Sequence, residues 1–171
     1  WLFDVMRQWD HIWLPRIKEP AYFDTNFDKG LDWYDHLYGV QPPSAVARMD
    51  FSNQYFAYPW ALERIRRYNP HAKVILIARE HREWFRSMLY FEVRKGISET
   101  EIDRLAPLKY EQSDAKNLIV QVKKIFLDDL IVIDFEWIRR HAIHDIFVSL
   151  GLPAPPAIDS QFTNALMVPR H

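Results

Sequence analysis

Hydrophobic residues along this chain follow two patterns, continuous runs and stretches with helical spacing. The continuous runs are residues 73–78, KVILIA, and residues 129–134, DLIVID, and both are rich in β-branched side chains. Runs of this length and composition are typical of strands that are covered on both faces in a parallel sheet. A further strand is predicted at residues 45–49. The pattern therefore predicts a parallel β-sheet.

The stretches between these runs carry apolar residues at helical spacing. They predict helices at residues 1–9, 30–38, 59–68, 81–96, from 98, from 113, and 141–150. Prolines mark several of the predicted helix ends. Pro59 suits a first helical turn, and Pro70 ends the helix that begins there. Pro107 is expected to limit the helix that begins at Ser98. Strands that alternate with helices predict an α/β fold.

Composition sets the class of protein. The 171 residues, 49% hydrophobic and 26% charged, predict one globular domain spanning residues 1–171. A net charge of -1 gives no basis for nucleic-acid binding, and the aromatic residues, 15% of the chain, are expected in the core. The chain has no Cys, no recognisable signal peptide and no apolar run long enough for a membrane span. These features predict a cytoplasmic protein.

Arg79 and Ser87 form the first candidate site. Arg79 follows the strand at residues 73–78, and Ser87 comes eight positions later in the next predicted helix. The carboxyl edge of a parallel sheet is where ligands collect, and a helix N-terminus attracts anions. A guanidinium fork and a hydroxyl suit a phosphate, although both residue types are also common in such places without a ligand.

Glu19 is the second candidate, in a loop that Pro15 and Pro20 keep extended. A fixed carboxylate can act as a general base, but it can equally be a solvated loop residue. Asp24 could orient a substrate or simply form a turn. Arg64, with the arginines at 66 and 67, forms a basic cluster that is either a solvated helix face or a contact for an acidic acceptor.

No metal site is predicted. His141 and His144 could share a helix face, but a surface helix explains them better because no His-Glu-x-x-His pattern occurs. Asp134 and Glu136 at a strand end could bind a divalent ion, yet no lysine follows at position 138. The chain also lacks a glycine-rich loop of the Walker type, and it has only four glycines.

Four segments, in order along nearly the full chain, match the pattern of one family. They are residues 17–24 (IKEPAYFD), residues 29–34 (KGLDWY), Arg79 with Ser87, and residues 130–136 followed by 147–153 (FVSLGLP). The set resembles the sulfotransferases that use 3′-phosphoadenosine 5′-phosphosulfate (PAPS), especially the bacterial members and the heparan-sulfate-type domains. The resemblance implies a P-loop-like three-layer α/β/α fold with a central parallel sheet.

The resemblance also implies roles for single residues. Glu19 is expected to be the catalytic base, while Arg79 and Ser87 are expected to bind the 3′-phosphate of PAPS. Arg170 corresponds to a phosphate contact from a loop that closes over the nucleotide. Adenosine 3′,5′-bisphosphate would be the product, no metal would be required, and the acceptor would present a hydroxyl or an amine, with a carbohydrate as one candidate. The residues expected to contact the acceptor are Lys18, Asp24 and Ser52. Lys18 would favour the ionised form of Glu19.

The chain departs from the family pattern in several places. Glu80-His81 follows Arg79 where the family has Asn-Pro or Asp-Pro, Ala21 replaces a frequent histidine, and Phe51 replaces a frequent lysine. Family members begin with a strand and a loop that binds the phosphosulfate through a lysine. Residues 1–9 resemble the helix after that loop, so the strand and loop are expected to be missing from this sequence. Two alternatives therefore stay open, a P-loop kinase or nucleotide hydrolase relative and a non-catalytic sulfotransferase-like binding domain.

Overall fold

The computed structural model describes residues 2–112, 115–140, 147–148 and 150–153. The chain divides into two compact units. The first unit consists of Trp1–Tyr68 with His141–His171, and the second unit consists of Asn69–Arg140. The single domain expected from the length of the chain stays a prediction.

The described part of the first unit contains short helices and one pair of strands. Its elements are α1 (Leu2–Met6), β1 (Ile12–Trp13), a 3₁₀ helix (Phe27–Lys29), α2 (Leu31–His36), β2 (Ala47–Arg48), a second 3₁₀ helix (Tyr55–Ala57) and α3 (Pro59–Tyr68). β1 and β2 are parallel, with Ile12 opposite Ala47 and Trp13 opposite Arg48. The predicted helix at residues 59–68 is confirmed at both ends, while the predicted helix at residues 1–9 is shorter than expected.

Aromatic side chains build the core of the first unit. Tyr34 stacks on Tyr22 with ring centroids 4.5 Å apart, and Phe23 meets Tyr34 edge-on at 5.3 Å. Trp9 packs edge-on against Phe147 at 4.6 Å. All five residues are buried. The prediction that the aromatic residues form core is confirmed for these five residues, whereas Phe27, Tyr58, Trp60 and Tyr68 of the same unit are exposed. Buried aromatic pairs stabilise a core by contact area and by ring geometry.

The second unit holds the two strongest predicted strands. Its described elements are β3 (Val74–Ala78), α4 (His81–Arg94), α5 (Glu99–Gln112), α6 (Ala115–Phe126), a 3₁₀ helix (Leu127–Asp129), β4 (Leu130–Asp134) and α7 (Phe135–Arg140). β3 and β4 are parallel and in register from Val74 opposite Leu130 to Ala78 opposite Asp134. The prediction that both β-branched runs are strands of a parallel sheet is confirmed here, and the structure adds that the two runs pair with each other.

Burial of these strands differs from the expectation of two covered faces. Leu76 and Ile133 are buried, but Ile77 is 38% exposed and Val132 is 44% exposed. Within the described residues, β3 and β4 pair only with each other. Leu76 is opposite Val132 and Ile77 is opposite Ile133, so each face of this strand pair carries one buried and one exposed side chain.

Helix α5 corrects the expected effect of Pro107. The predicted start is confirmed, because the Glu101 N–H donates to Ser98 Oγ at 3.4 Å. However, the helix continues through Pro107 to Gln112. Pro107 is exposed, so water can solvate the carbonyl that receives no N–H bond from the proline.

Several expected features lie outside the described residues. They are the cap at residues 113–114, most of the predicted helix at residues 141–150, His141, His144, and the tail that contains Arg170.

Candidate functional site

Residues 18–24, called here the Glu19 loop, have an unusual backbone. Glu19 has φ 58° and Ala21 has φ 49°, both in the left-handed region that non-glycine residues seldom adopt, so the expectation of an extended loop is wrong at these two residues. Between them, the side chain of Pro20 is fully buried, whereas the side chain of Glu19 is 43% exposed. Such conformations persist only where the surroundings enforce them, and they cluster at functional sites. The loop therefore fixes Pro20 inside the unit and presents the Glu19 carboxylate to solvent.

Side-chain hydroxyls hold the backbone of this loop. The Ala21 N–H donates to Ser52 Oγ at 3.0 Å, and the Phe23 N–H donates to the Tyr55 hydroxyl at 3.4 Å. These are alternate N–H groups of the loop, and both acceptors lie just after β2, in the segment around the second 3₁₀ helix. The loop is therefore fixed by contacts far away in sequence.

The Asp50 carboxylate accepts hydrogen bonds from both of these hydroxyls, and the sequence alone did not predict a role for this residue. Its Oδ1 accepts from Ser52 Oγ at 2.7 Å, and its Oδ2 accepts from the Tyr34 and Tyr55 hydroxyls at 3.0 Å each. Burial raises the pKa of Asp50, while the three hydroxyl donors oppose that rise. Burial and the neighbouring Asp50 charge raise the pKa values of Tyr34 and Tyr55, so both remain protonated donors.

The residues expected to contact an acceptor have different surroundings. Lys18 Nζ lies 3.8 Å from Glu19 Oε1, and both side chains are exposed, so the pair contributes about 0–1 kcal/mol to stability. Asp24 is buried; one carboxylate oxygen accepts from the Thr25 N–H, but the buried Oδ2 has no partner among the described residues. Asp24 thus offers a buried, unpaired acceptor, and the hydroxyl of Ser52 is already used by Asp50 and Ala21.

Arg79 lies in the second unit, directly after the last residue of β3. Its guanidinium carbon is 4.9 Å from the centre of the Phe135 ring, and its Nη2 is 3.5 Å from Glu83 Oε2. Its Nε is buried and has no hydrogen-bond partner among the described residues. An unpaired buried donor costs about 1–3 kcal/mol. A ligand oxygen at this position would satisfy the Arg79 Nε.

Ser87 lies on α4 and is exposed. It follows Glu83 by four residues, so both side chains are on the same face of the helix. Since Glu83 contacts Arg79, the hydroxyl of Ser87 belongs to the helix face next to the arginine.

The N-terminus of α4 is occupied by its own carboxylate. Glu80 Oε2 accepts from the Glu83 N–H at 2.9 Å, and hydrogen bonds from backbone N–H groups lower the pKa of Glu80. The expectation that the first turn of this helix offers free N–H groups to an anion is therefore wrong for the Glu83 N–H. The reason is local, because a carboxylate at the residue before a helix competes with any external anion.

The structure of this chain is similar to that of a solved sulfotransferase. The chain matches the sulfotransferase from Alicyclobacillus acidocaldarius with a TM-score of 0.71 and 22% identity, over 96% of this chain and 83% of that chain. The chain has a sulfotransferase fold. No protein-family model matches the sequence, and no curated protein matches it.

The sulfotransferase fold agrees with the mixed α/β class expected from the sequence, including its parallel strand pairs. In the part of the chain that the structure describes, no group of three or more His, Asp or Glu side chains is arranged to hold a metal ion. The described helices include none that is long and apolar enough to cross a membrane.

Proposed function

We propose that this chain is a PAPS-dependent sulfotransferase domain with a P-loop-like three-layer α/β/α architecture. It transfers the sulfuryl group of PAPS to a hydroxyl or an amine of an acceptor. The observation that carries the proposal is the buried, unpaired Nε of Arg79 at the carboxyl end of β3, in a chain with a sulfotransferase fold. The resemblance noted above assigns this arginine to the 3′-phosphate of the nucleotide.

The 3′-phosphate would bind by exchange of partners at Arg79. In the described structure the guanidinium is next to the carboxylate of Glu83 at 3.5 Å, a distance longer than a good charge-assisted hydrogen bond. A phosphate oxygen can take the free Nε and replace Glu83 at Nη2. Ser87 adds a hydroxyl donor from the face of α4 that carries Glu83. Together these groups select a nucleotide with a 3′-phosphate.

Glu19 would act on the acceptor. As the acceptor oxygen attacks sulfur in line, a new oxygen–sulfur bond forms, and the bond between sulfur and the bridging oxygen of PAPS breaks. The acceptor proton moves to the Glu19 carboxylate, and adenosine 3′,5′-bisphosphate leaves. The backbone conformation at Glu19 and the buried Pro20 support this role, because a base must be held in one position to act efficiently. The residues assigned to the reaction use no metal.

A row of exposed rings supports a carbohydrate acceptor. Tyr58 and Trp60 stack at 5.1 Å and are 39% and 45% exposed. The Arg64 guanidinium lies 4.6 Å from the Trp60 ring and 3.7 Å from the Phe27 ring. Exposed aromatic faces can pack against sugar rings, and Arg64 can attract a sulfate or carboxylate group.

Calorimetry with adenosine 3′,5′-bisphosphate tests the donor site. We expect the wild-type protein to bind this nucleotide, and Arg79→Ala to weaken binding about 10- to 100-fold, because charge-assisted hydrogen bonds to the phosphate are lost. Arg82→Ala is the matched control on the exposed part of α4, and it should bind like the wild type. Absence of binding, or equal effects of the two substitutions, would overturn the proposal.

A transfer assay with Glu19→Gln tests the base. We expect nucleotide affinity to be unchanged and turnover to fall about 10²- to 10⁴-fold, the usual contribution of general base catalysis. Retained turnover would remove Glu19 from this role. Hydrolysis of ATP with Mg²⁺ would instead favour a kinase or hydrolase relative, and nucleotide binding without any transfer would favour a binding domain.

Trp60→Ala tests the acceptor surface. We expect the KM for a sulfated or carboxylated oligosaccharide to rise about tenfold, which corresponds to ~1.4 kcal/mol of lost contact, with no change in the KM for PAPS. Tyr90→Ala, an exposed aromatic residue of α4, serves as the control. If Trp60→Ala leaves the acceptor KM unchanged, these rings do not bind the acceptor.

A further inference from the structure

Two backbone N–H groups of the Glu19 loop donate to hydroxyls that share one carboxylate. Ser52 Oγ accepts from the Ala21 N–H and donates to Asp50 Oδ1, at 3.0 and 2.7 Å. The Tyr55 hydroxyl accepts from the Phe23 N–H and donates to Asp50 Oδ2, at 3.4 and 3.0 Å. Asp50 thus reaches the loop through two parallel connections.

The Asp50 carboxylate determines the orientation of the Ser52 and Tyr55 hydroxyl groups. A hydroxyl has one proton and can either donate it to the loop or keep a lone pair towards the loop. An ionised carboxylate only accepts, so it takes the protons of Ser52 and Tyr55 and leaves their lone pairs for the two N–H groups. Without Asp50 the hydroxyls could rotate, and the N–H groups of Ala21 and Phe23 would lose fixed acceptors.

We propose that Asp50 is a positioning residue for the Glu19 loop, acting on Glu19 through Ser52 and Tyr55. Ala21, the first of the two anchored residues, is itself in the left-handed region, as is Glu19 on the other side of Pro20. Holding the Ala21 N–H therefore helps to hold the conformation that presents Glu19. The functional part of this inference rests on the proposed role of Glu19, while the positioning of the loop does not.

The neighbouring tyrosines provide a matched control. Tyr38 is a buried member of the same cluster, and its hydroxyl lies 3.0 Å from the Tyr34 hydroxyl and 3.1 Å from the Met49 carbonyl oxygen. Its described hydrogen bonds do not include an N–H group of the Glu19 loop. Tyr38→Phe and Tyr55→Phe each remove one buried hydroxyl from the cluster, but only Tyr55→Phe removes an acceptor from the loop.

Amide hydrogen exchange tests the positioning without any need for enzymatic activity. We expect the Ala21 amide to exchange about tenfold faster in Ser52→Ala, and the Phe23 amide about tenfold faster in Tyr55→Phe, since each variant lacks one hydrogen bond that closes the loop. Asp50→Asn should accelerate both amides, and Tyr38→Phe neither. Equal acceleration by Tyr38→Phe and Tyr55→Phe would mean a general loss of stability and would overturn the inference.

Steady-state kinetics then connect the loop to transfer. We expect Ser52→Ala and Tyr55→Phe to lower kcat about 10- to 100-fold with the KM for PAPS unchanged, because a small displacement of a base acts on the chemical step. Ser52→Thr retains the hydroxyl and should restore kcat to within about threefold of the wild type.

An unchanged kcat in Ser52→Ala would refute the catalytic part. A wild-type protein without transfer activity would instead refute the proposed function, while the exchange pattern would still decide the positioning of the loop.

Discussion

Two carboxylates in this protein have opposite electrostatic surroundings. Asp50 is surrounded by buried tyrosines, and burial raises its pKa above the ordinary value of 3.8. Glu80 is exposed at the start of α4, and backbone N–H donors lower its pKa below the ordinary value of 4.5. Burial disfavours the charged form of a group, while hydrogen bonds to a carboxylate favour it. The two residues should therefore change stability in opposite directions as pH changes.

Urea unfolding of the wild type, Asp50→Asn and Glu80→Gln, from about pH 3 to about pH 7, measures these effects. Above pH 3.8 the unfolded chain releases the Asp50 proton that the folded protein still holds, so the stability that depends on Asp50 falls as pH rises through its raised pKa. The contribution of Glu80 is present above pH 4.5 and is lost as pH falls through its lowered pKa. Differences from the wild type that do not vary with pH would contradict both assignments.

Glu19 and Asp50 differ in how far the sequence alone predicts a role for them. Glu19 could be selected because the loop around it carries prolines and matches a motif. Asp50 could not be selected in that way, since Tyr34 lies 16 positions before it and only the fold brings the Tyr34 and Tyr55 hydroxyls to the same carboxylate oxygen. One signal was present, because Asp50, Ser52 and Tyr55 lie within a six-residue segment. Their spacing alone does not indicate that the Ser52 and Tyr55 hydroxyls both donate to the Asp50 carboxylate.

At the scale of elements, strong local signals predicted bounds well. Helix α3 begins at Pro59 and ends before Asn69-Pro70, and strands β3 and β4 coincide with the β-branched runs. Pro107 misled because the rule that proline ends a helix describes an energetic cost and not a prohibition. In α5 the helix continues past Pro107, which lies at an exposed position in the helix interior, despite this cost. The identity of an element is thus easier to predict than its end.

Replacement of Pro107 by alanine tests that cost. An interior proline is about 3 kcal/mol less favourable in a helix than alanine, while loss of its rigidity in the unfolded chain returns about 0.4–1 kcal/mol. We expect Pro107→Ala to raise the free energy of unfolding by about 2 kcal/mol, measured by denaturant titration. Pro59→Ala, at the first residue of α3, is the control and should not be stabilising. A similar gain in both variants would refute the explanation from helix position.

At the scale of the whole molecule, the sequence predicted the fold class but not how its segments group. The first unit combines residues from both sides of the second unit in sequence, and a reading in chain order cannot detect such grouping. The comparison supports the α/β class, because this chain and a solved sulfotransferase share a fold at only 22% identity. Alternation of strands and helices is preserved at that identity, while most individual side chains are not.

Burial is uneven between the two units, and this predicts different local stabilities. Among the residues whose burial the structure describes, most buried hydrophobic side chains belong to the first unit, while those of the second unit are Leu76, Val122, Phe126, Ile133 and Ile138. Segments with fewer buried apolar contacts open at lower free energy. In native-state hydrogen exchange at increasing denaturant, we therefore expect the amides of β3 and β4 to open at lower free energy than those of α3. If instead all these amides merge into one opening reaction, the chain unfolds as the single domain predicted from its length, and the uneven burial has no thermodynamic consequence.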